Sequence, residues 1–165
     1  MNELLGRAVL AFLLLPGTIG FLIPWLILTF GQSRPFVDPL GLIPFVVGVV
    51  LLLWCVWSFY SAGKGTLAPW APPRQLVVTG LYGFSRNPMY IAVVLVLWGW
   101  ALGSRSGVMA FYAAAVMVAF HLRVVFGEEP WLARTHGEAW AQYRAQVPRW
   151  VALHRTANSE KQGAG

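Results

Sequence analysis

Charge is scarce in this chain. Only 11% of its 165 residues are Asp, Glu, Lys or Arg, less than half of the roughly 25% found in an ordinary soluble domain. Its one cysteine, Cys55, lies inside an apolar run, so no intramolecular disulfide can form and no redox compartment is implied. The three histidines (His121, His136 and His154) make no HExxH pattern and have no cysteine cluster beside them. That gives a metal site no support. Acidic residues number six against twelve basic ones, a net charge of +6. Such a surplus could suit nucleic acid, but basic loops between membrane spans produce it too and also explain the hydrophobicity, so no nucleic-acid partner is expected.

What the chain has instead is apolar length: 58% of its residues are hydrophobic. Several stretches run uncharged for about the ~20 helical residues that cross roughly 30 Å of hydrocarbon. The first extends from Ala8 to Phe30 and is broken by Pro16, Gly17 and Pro24. A signal peptide competes for it, but only Arg7 precedes the run and the run continues past any cleavage site. The prolines predict a kinked span or two half-segments, tolerable where neighbouring helices satisfy the freed carbonyls. A second run, Leu40 to Tyr60, ends in Trp54, Trp57 and Tyr60, an aromatic belt at headgroup depth. The Pro/Gly-rich stretch from Ser61 to Gly80 contains APPR and cannot be helical throughout. The third run, Met89 to Leu102, is short for a crossing. GSRSG joins it to the fourth, Val108 to Phe126, which predicts an antiparallel hairpin. There Ala110, Ala113, Ala114, Ala115 and Ala119 offer small faces for packing.

From Glu128 to Val147 the residues Leu132, His136, Ala139, Tyr143 and Val147 recur at helical spacing among polar neighbours, an amphipathic helix at the membrane surface or against the bundle. Trp131, Trp140 and Trp150 are read as surface anchors. The expected fold is all-α and integral to the membrane. One domain over residues 1–155 holds about four transmembrane helices, the first kinked and the third short, plus a C-terminal amphipathic helix. Residues 156–165 form a disordered polar tail. With four spans, ten of the twelve basic residues fall on one side, leaving Arg34 and Arg105 opposite. The positive-inside rule places both termini and that side in the cytoplasm, of a bacterial-type inner membrane.

Two segments on the basic side are dense in polar and aromatic residues: TGLYGFSRNPMY (Thr79 to Tyr90) and EEPWLARTHGEAWAQYRAQVPRW (Glu128 to Trp150). A pattern TG-x-Y-x-x-x-R-[HN]-P-x-Y, one helical hairpin, then EE-x-x-L and a terminal VPR resembles the isoprenylcysteine carboxyl methyltransferase family. The related phospholipid N-methyltransferases share much of it. The resemblance covers about Gln75 to Trp150. It implies methyl transfer from S-adenosylmethionine at the membrane surface. By position, Gln75, Leu76 and Val77 would line the cofactor loop and Tyr82 would contact the cofactor. Asn87, Pro88, Met89 and Tyr90 match the HPxY-type tetrad, and Glu128 matches the cofactor glutamate of the EE pair, with Glu129 beside it. The isoprenylcysteine enzymes have His at the Asn87 position, which turns the acceptor away from prenyl-cysteine. They also place an arginine four residues before the cofactor glutamate. Here that position is Val124, and Arg123 stands one residue earlier.

The residue chemistry agrees. Carboxylates such as Glu128 can accept from ribose hydroxyls or an ammonium, and Tyr82 and Tyr90 offer electron-rich faces to a cation. Methyl transfer is an in-line displacement on an activated carbon and needs no protein nucleophile. Competing readings are plain. Glu128 and Glu129 would also suit a helix's first turn, with Pro130 well placed there. Arg86 is a positive-inside anchor or a lid on the cofactor's carboxylate. Arg123 is a snorkelling anchor or an acceptor-anion contact, and His121 is a packed residue that its depth keeps among the acceptor-site candidates. The acceptor that the resemblance implies is a lipophilic small molecule or lipid bearing a carboxylate, thiol or amine. A nicotinamide-dependent membrane reductase and a non-catalytic scaffold remain as alternatives.

Overall fold

The computed structural model describes residues 13–31, 36–61 and 78–151, and everything in them is helix or short connection. The first helix, α1, is π-helical over Leu13–Leu22 and α-helical over Ile23–Phe30. After a 3-10 turn at Pro39–Gly41 come α2 (Leu42–Ser61), a 3-10 turn at Gly80–Gly83, α3 (Pro88–Ser104) and α4 (Gly107–Arg123). A π turn, Val124–Glu128, carries α4 without interruption into α5 (Glu129–Gln146). The polar tail and the start of the first apolar run lie outside the described residues.

Two stretches, Pro39–Ser58 and Gly107–Gln146, are long and apolar enough to cross a membrane, and Pro16–Phe30 and Pro88–Ser104 are shorter apolar helices. α3 exceeds the expected short run because Pro88 starts it and Gly103 and Ser104 extend it. The outer faces of α2 and α4 leave Val46, Val50, Leu53, Phe111 and Val118 exposed, apolar surface that water would penalise and hydrocarbon would not.

α1 shows how a broken helix survives there. Pro24 has no N–H, so the carbonyls of Ile19 and Gly20 lose the donors that π and α bonding would assign them. Tyr112 Oη donates to the Ile19 carbonyl at 3.0 Å and Trp100 Nε1 donates to the Gly20 carbonyl at 3.1 Å. The predicted rescue by neighbouring helices is thus made by α3 and α4.

α3 is the central element. Ala92, Val93, Val96 and Leu97 are buried, and Leu52, Ala113 and Phe120 from both neighbours join the core. Close packing comes less from the alanines of α4, where Ala115 and Ala119 are exposed, than from glycines between α2 and α3. A Cβ on Gly99 would fall 2.5 Å from the Phe45 Cβ, and one on Gly48 would fall 2.7 Å from the Ala92 carbonyl. Gly99→Val should therefore force the helices apart at a cost of about 1–3 kcal/mol, read as a lower melting midpoint in detergent.

The α3–α4 link is short. Arg105 takes a left-handed conformation (φ 50°), and the Ser106 side chain accepts from the Met109 N–H. Arg105 also donates from Nε and Nη2 to Asp38 Oδ2 at 3.0 and 2.7 Å, tying this link to the start of α2. Beside α1, residues such as Gly17, Phe21, Leu52 and Leu53 line an open apolar groove of about 740 Å³.

α5 is less regular than its sequence suggests. Gly137 has φ 48° and ψ −118° and breaks the helix in two. Beyond the break Trp140, Tyr143 and Val147 are buried together, with Leu132 packed against them. Ala139, expected on the inner face, is exposed, because the second half is redirected at Gly137. Trp140 is only 4% exposed, so it is a core residue and not a surface anchor.

Candidate active site

Pro88 fixes where α3 begins. As the first helical residue it leaves Asn87 outside the helix, at φ −132° and ψ 51°, away from the α region that a following proline disfavours. The Asn87 carbonyl accepts the first helical bond from the Ile91 N–H, but its side chain does not cap the helix. Asn87 Nδ2 instead donates to the Arg149 carbonyl at 3.0 Å. Ser85 Oγ donates to the same carbonyl and accepts from the Asn87 N–H at 3.1 Å. The Arg86 N–H donates to the Pro148 carbonyl at 2.9 Å. Tyr143 Oη donates to the Tyr82 carbonyl at 2.7 Å. Bonds that each span more than sixty residues thus join the two motifs, three of them through the backbone of VPRW.

The adjacent glutamates part company. Glu129 turns into the protein, where Arg149 grips it with two bonds, Nε to Oε1 at 2.7 Å and Nη2 to Oε2 at 2.8 Å. Arg86 Nη1 lies 2.9 Å from Glu129 Oε1, with side-chain exposures of 8% and 12%. The Trp140 ring covers the Arg86 guanidinium at 5.2 Å. Burial alone would raise the Glu129 carboxyl, but its bonds to Arg149 and the charges of Arg86 and Arg149 outweigh that and hold it below its ordinary value. Burial lowers Arg86, partly offset by Glu129, and the bond to Glu129 raises Arg149.

Glu128 faces the other way and keeps a third of its side chain exposed. Its Oε1 accepts from Tyr90 Oη and from Arg123 Nε at 2.8 Å. Arg123 Nε is also 3.1 Å from Tyr90 Oη, and Tyr90 leans on Phe120 with ring centroids 4.4 Å apart. Among the described residues Oε2 of Glu128 accepts no hydrogen bond, so this oxygen can meet a ligand's N–H or O–H.

Of the residues expected at the site, Tyr90, Arg123 and Glu128 form one cluster. Arg86 and Glu129 form a second with Arg149, and Asn87 and Pro88 connect the two. Met89 and Tyr90 pack on the core at the start of α3. Tyr82, on its 3-10 turn, lies beside Cys55 of α2. Gln75, Leu76 and Val77 lie outside the described residues. His121 is engaged elsewhere: its Nδ1 accepts from Trp150 Nε1 at 3.3 Å, with the rings stacked. The sequence reading missed Ser85, Trp140 and Arg149 as partners. Arg149 was signalled by the VPR of the second motif, whereas nothing local marked Ser85.

The model of the phospholipid methyltransferase family matches residues 38–139, well over half of the chain. The chain belongs to that family. No curated protein and no solved structure matches it. This phospholipid methyltransferase family member is therefore a membrane enzyme that moves a methyl group from S-adenosylmethionine to a lipophilic acceptor. Membership decides against the reductase and scaffold readings. The matched segment contains both glutamates and the RNPMY stretch but stops before Tyr143 and Arg149, whose bonds the fold supplies. The cofactor suits the cluster: its ammonium and ribose hydroxyls are donors, and the open Glu128 oxygen is an acceptor beside the Tyr90 ring.

Proposed function

We propose that the enzyme methylates the headgroup amine of a phospholipid, with Glu128 holding the cofactor where the apolar helices meet the aqueous side. The open Glu128 oxygen, fixed by Tyr90 and Arg123 at the end of the bundle, carries this reading. Bound S-adenosylmethionine supplies a methyl group on a sulfonium, already activated for in-line attack. The protein's share is orientation. Tyr82, Asn87, Pro88, Met89 and Tyr90 form the wall at the start of α3; the family resemblance assigns Gln75, Leu76 and Val77 to the cofactor as well. Arg86 and Glu129 hold that wall to the C-terminal segment and do not touch the cofactor.

Arg123, half exposed, directs its guanidinium charge to the acceptor's phosphate, and the apolar groove beside α1 suits an acyl chain. All four apolar helices cross the bilayer, and α5 carries α4 onward on the side of the site before it bends at Gly137. Ten of the twelve basic residues then share the site's side, which supports a cytoplasmic site and cytoplasmic termini. A headgroup amine arrives as an ammonium and must lose a proton before it can attack. With His121 engaged by Trp150 and Glu128 bound to cationic and phenolic donors, the rate should climb with pH toward the acceptor's own pKa.

The test offers labelled S-adenosylmethionine to detergent-solubilised enzyme with mixed micelles of an amine-headgroup phospholipid, a small thiol, or a prenyl-cysteine. Label is expected in the phospholipid. Label in the thiol or the prenyl-cysteine alone would overturn the acceptor assignment.

A further inference from the structure

Arg123 and Glu128 are five residues apart, yet Arg123 Nε lies 2.8 Å from Glu128 Oε1. A regular α-helix would not give this contact. At 3.6 residues per turn, positions five apart point about 140° away from each other, whereas positions four apart differ by about 40°. The intervening residues are not α-helical: Val124–Glu128 is a π turn, and π geometry bonds i to i+5 and brings such a pair onto one face. The turn holds one residue more than a regular helix would, and the excess falls between the arginine and its carboxylate.

The surroundings leave this turn little other work. Val124 is buried at 1% exposure and anchors the end of α4 in the core. Phe126 is 75% exposed, Gly127 is exposed, and a Cβ on Gly127 would meet nothing within 4 Å. Packing at Phe126 and Gly127 therefore does not demand the extra residue. What the turn does accomplish is alignment. Arg123 reaches both Tyr90 Oη and Glu128 Oε1, and Glu129, the next residue, still faces inward to Arg149.

We infer that the π turn Val124–Glu128 is a register device that makes Arg123 the positioning residue for Glu128. Arg123 and Tyr90 saturate Oε1, the carboxylate is held in one rotamer, and Oε2 is presented to the ligand. The inference rests on the proposed role of Glu128 as the cofactor carboxylate.

Binding of S-adenosylmethionine by the full chain in detergent, with a melting curve for every variant, tests it. Arg123→Met should weaken binding about 30-fold with little change in melting midpoint, and Arg123→Lys should recover part of the loss. Deleting Gly127 leaves Arg123 four residues before the glutamate in a regular helix and should keep affinity within about threefold. A folded Gly127 deletion that binds as poorly as Arg123→Met would overturn the register argument, as would wild-type affinity in Arg123→Met. Failure of the wild-type protein to bind the cofactor would instead remove the proposed role of Glu128, and this inference with it.

Discussion

Glu128→Gln should leave the protein folded and cost it most of its affinity for S-adenosylmethionine. The substitution keeps the shape of the side chain and one acceptor oxygen but removes the negative charge. Hydrogen bonds to charged groups contribute about 1.5–3 kcal/mol each, so losing one charged contact to the cofactor weakens binding roughly 10- to 100-fold. The structural cost is small, because Glu128 keeps a third of its side chain exposed and its partner Arg123 half of its own. Exposed ion pairs of that kind contribute about 0–1 kcal/mol to stability. The measurement is paired: cofactor binding in detergent beside the melting midpoint. Normal affinity in Glu128→Gln would withdraw the central assignment of the site. A collapse of both quantities would make Glu128 a structural residue.

The contrast with Glu129 marks how far the sequence could be read. The apolar runs, the broken first helix and the side shared by the two motifs all followed from composition and spacing, since span length and charge asymmetry are properties of the chain itself. The pairing of RNPMY with EE followed from the order of two motifs around one hairpin. What did not follow was the division of labour between Glu128 and Glu129. Adjacent helical residues differ by about 100° in direction, but which of them faces inward depends on the phase of the helix, and a π turn just before them resets that phase. The left-handed Gly137 hid the burial of Trp140 in the same way, since a regular helix was assumed across it. Gly48 and Gly99 were legible as residues but not as a seam, because a close approach belongs to two helices at once. The donors from Trp100 and Tyr112 to α1 were foreseen as a need, not as named partners.

Glu129→Gln should produce the opposite pair of results, a large loss of stability and only a secondary loss of binding. Glu129 sits between two guanidinium groups, with Arg86 and Glu129 both nearly buried. Removing its charge leaves two arginines facing each other without their shared anion, and breaking a buried pair in this way costs about 3–5 kcal/mol. A melting curve followed by tryptophan fluorescence should therefore shift well down. The double variant Glu129→Met with Arg149→Met should recover much of the loss, since apolar groups of similar volume can replace a buried pair. Acid should mimic the single variant. The carboxyl is held below its ordinary 4.5 in the folded protein, so its stabilisation is complete above that value and is lost as pH falls through the lowered folded pKa. The wild type should then lose stability on acidification below about pH 4.5, while Glu129→Gln, already lacking the charge, should show a flatter pH dependence over the same range. Equal slopes for the two proteins, or a Glu129→Gln midpoint matching wild type at neutral pH, would mean that Arg86 and Arg149 are held by something other than this carboxylate.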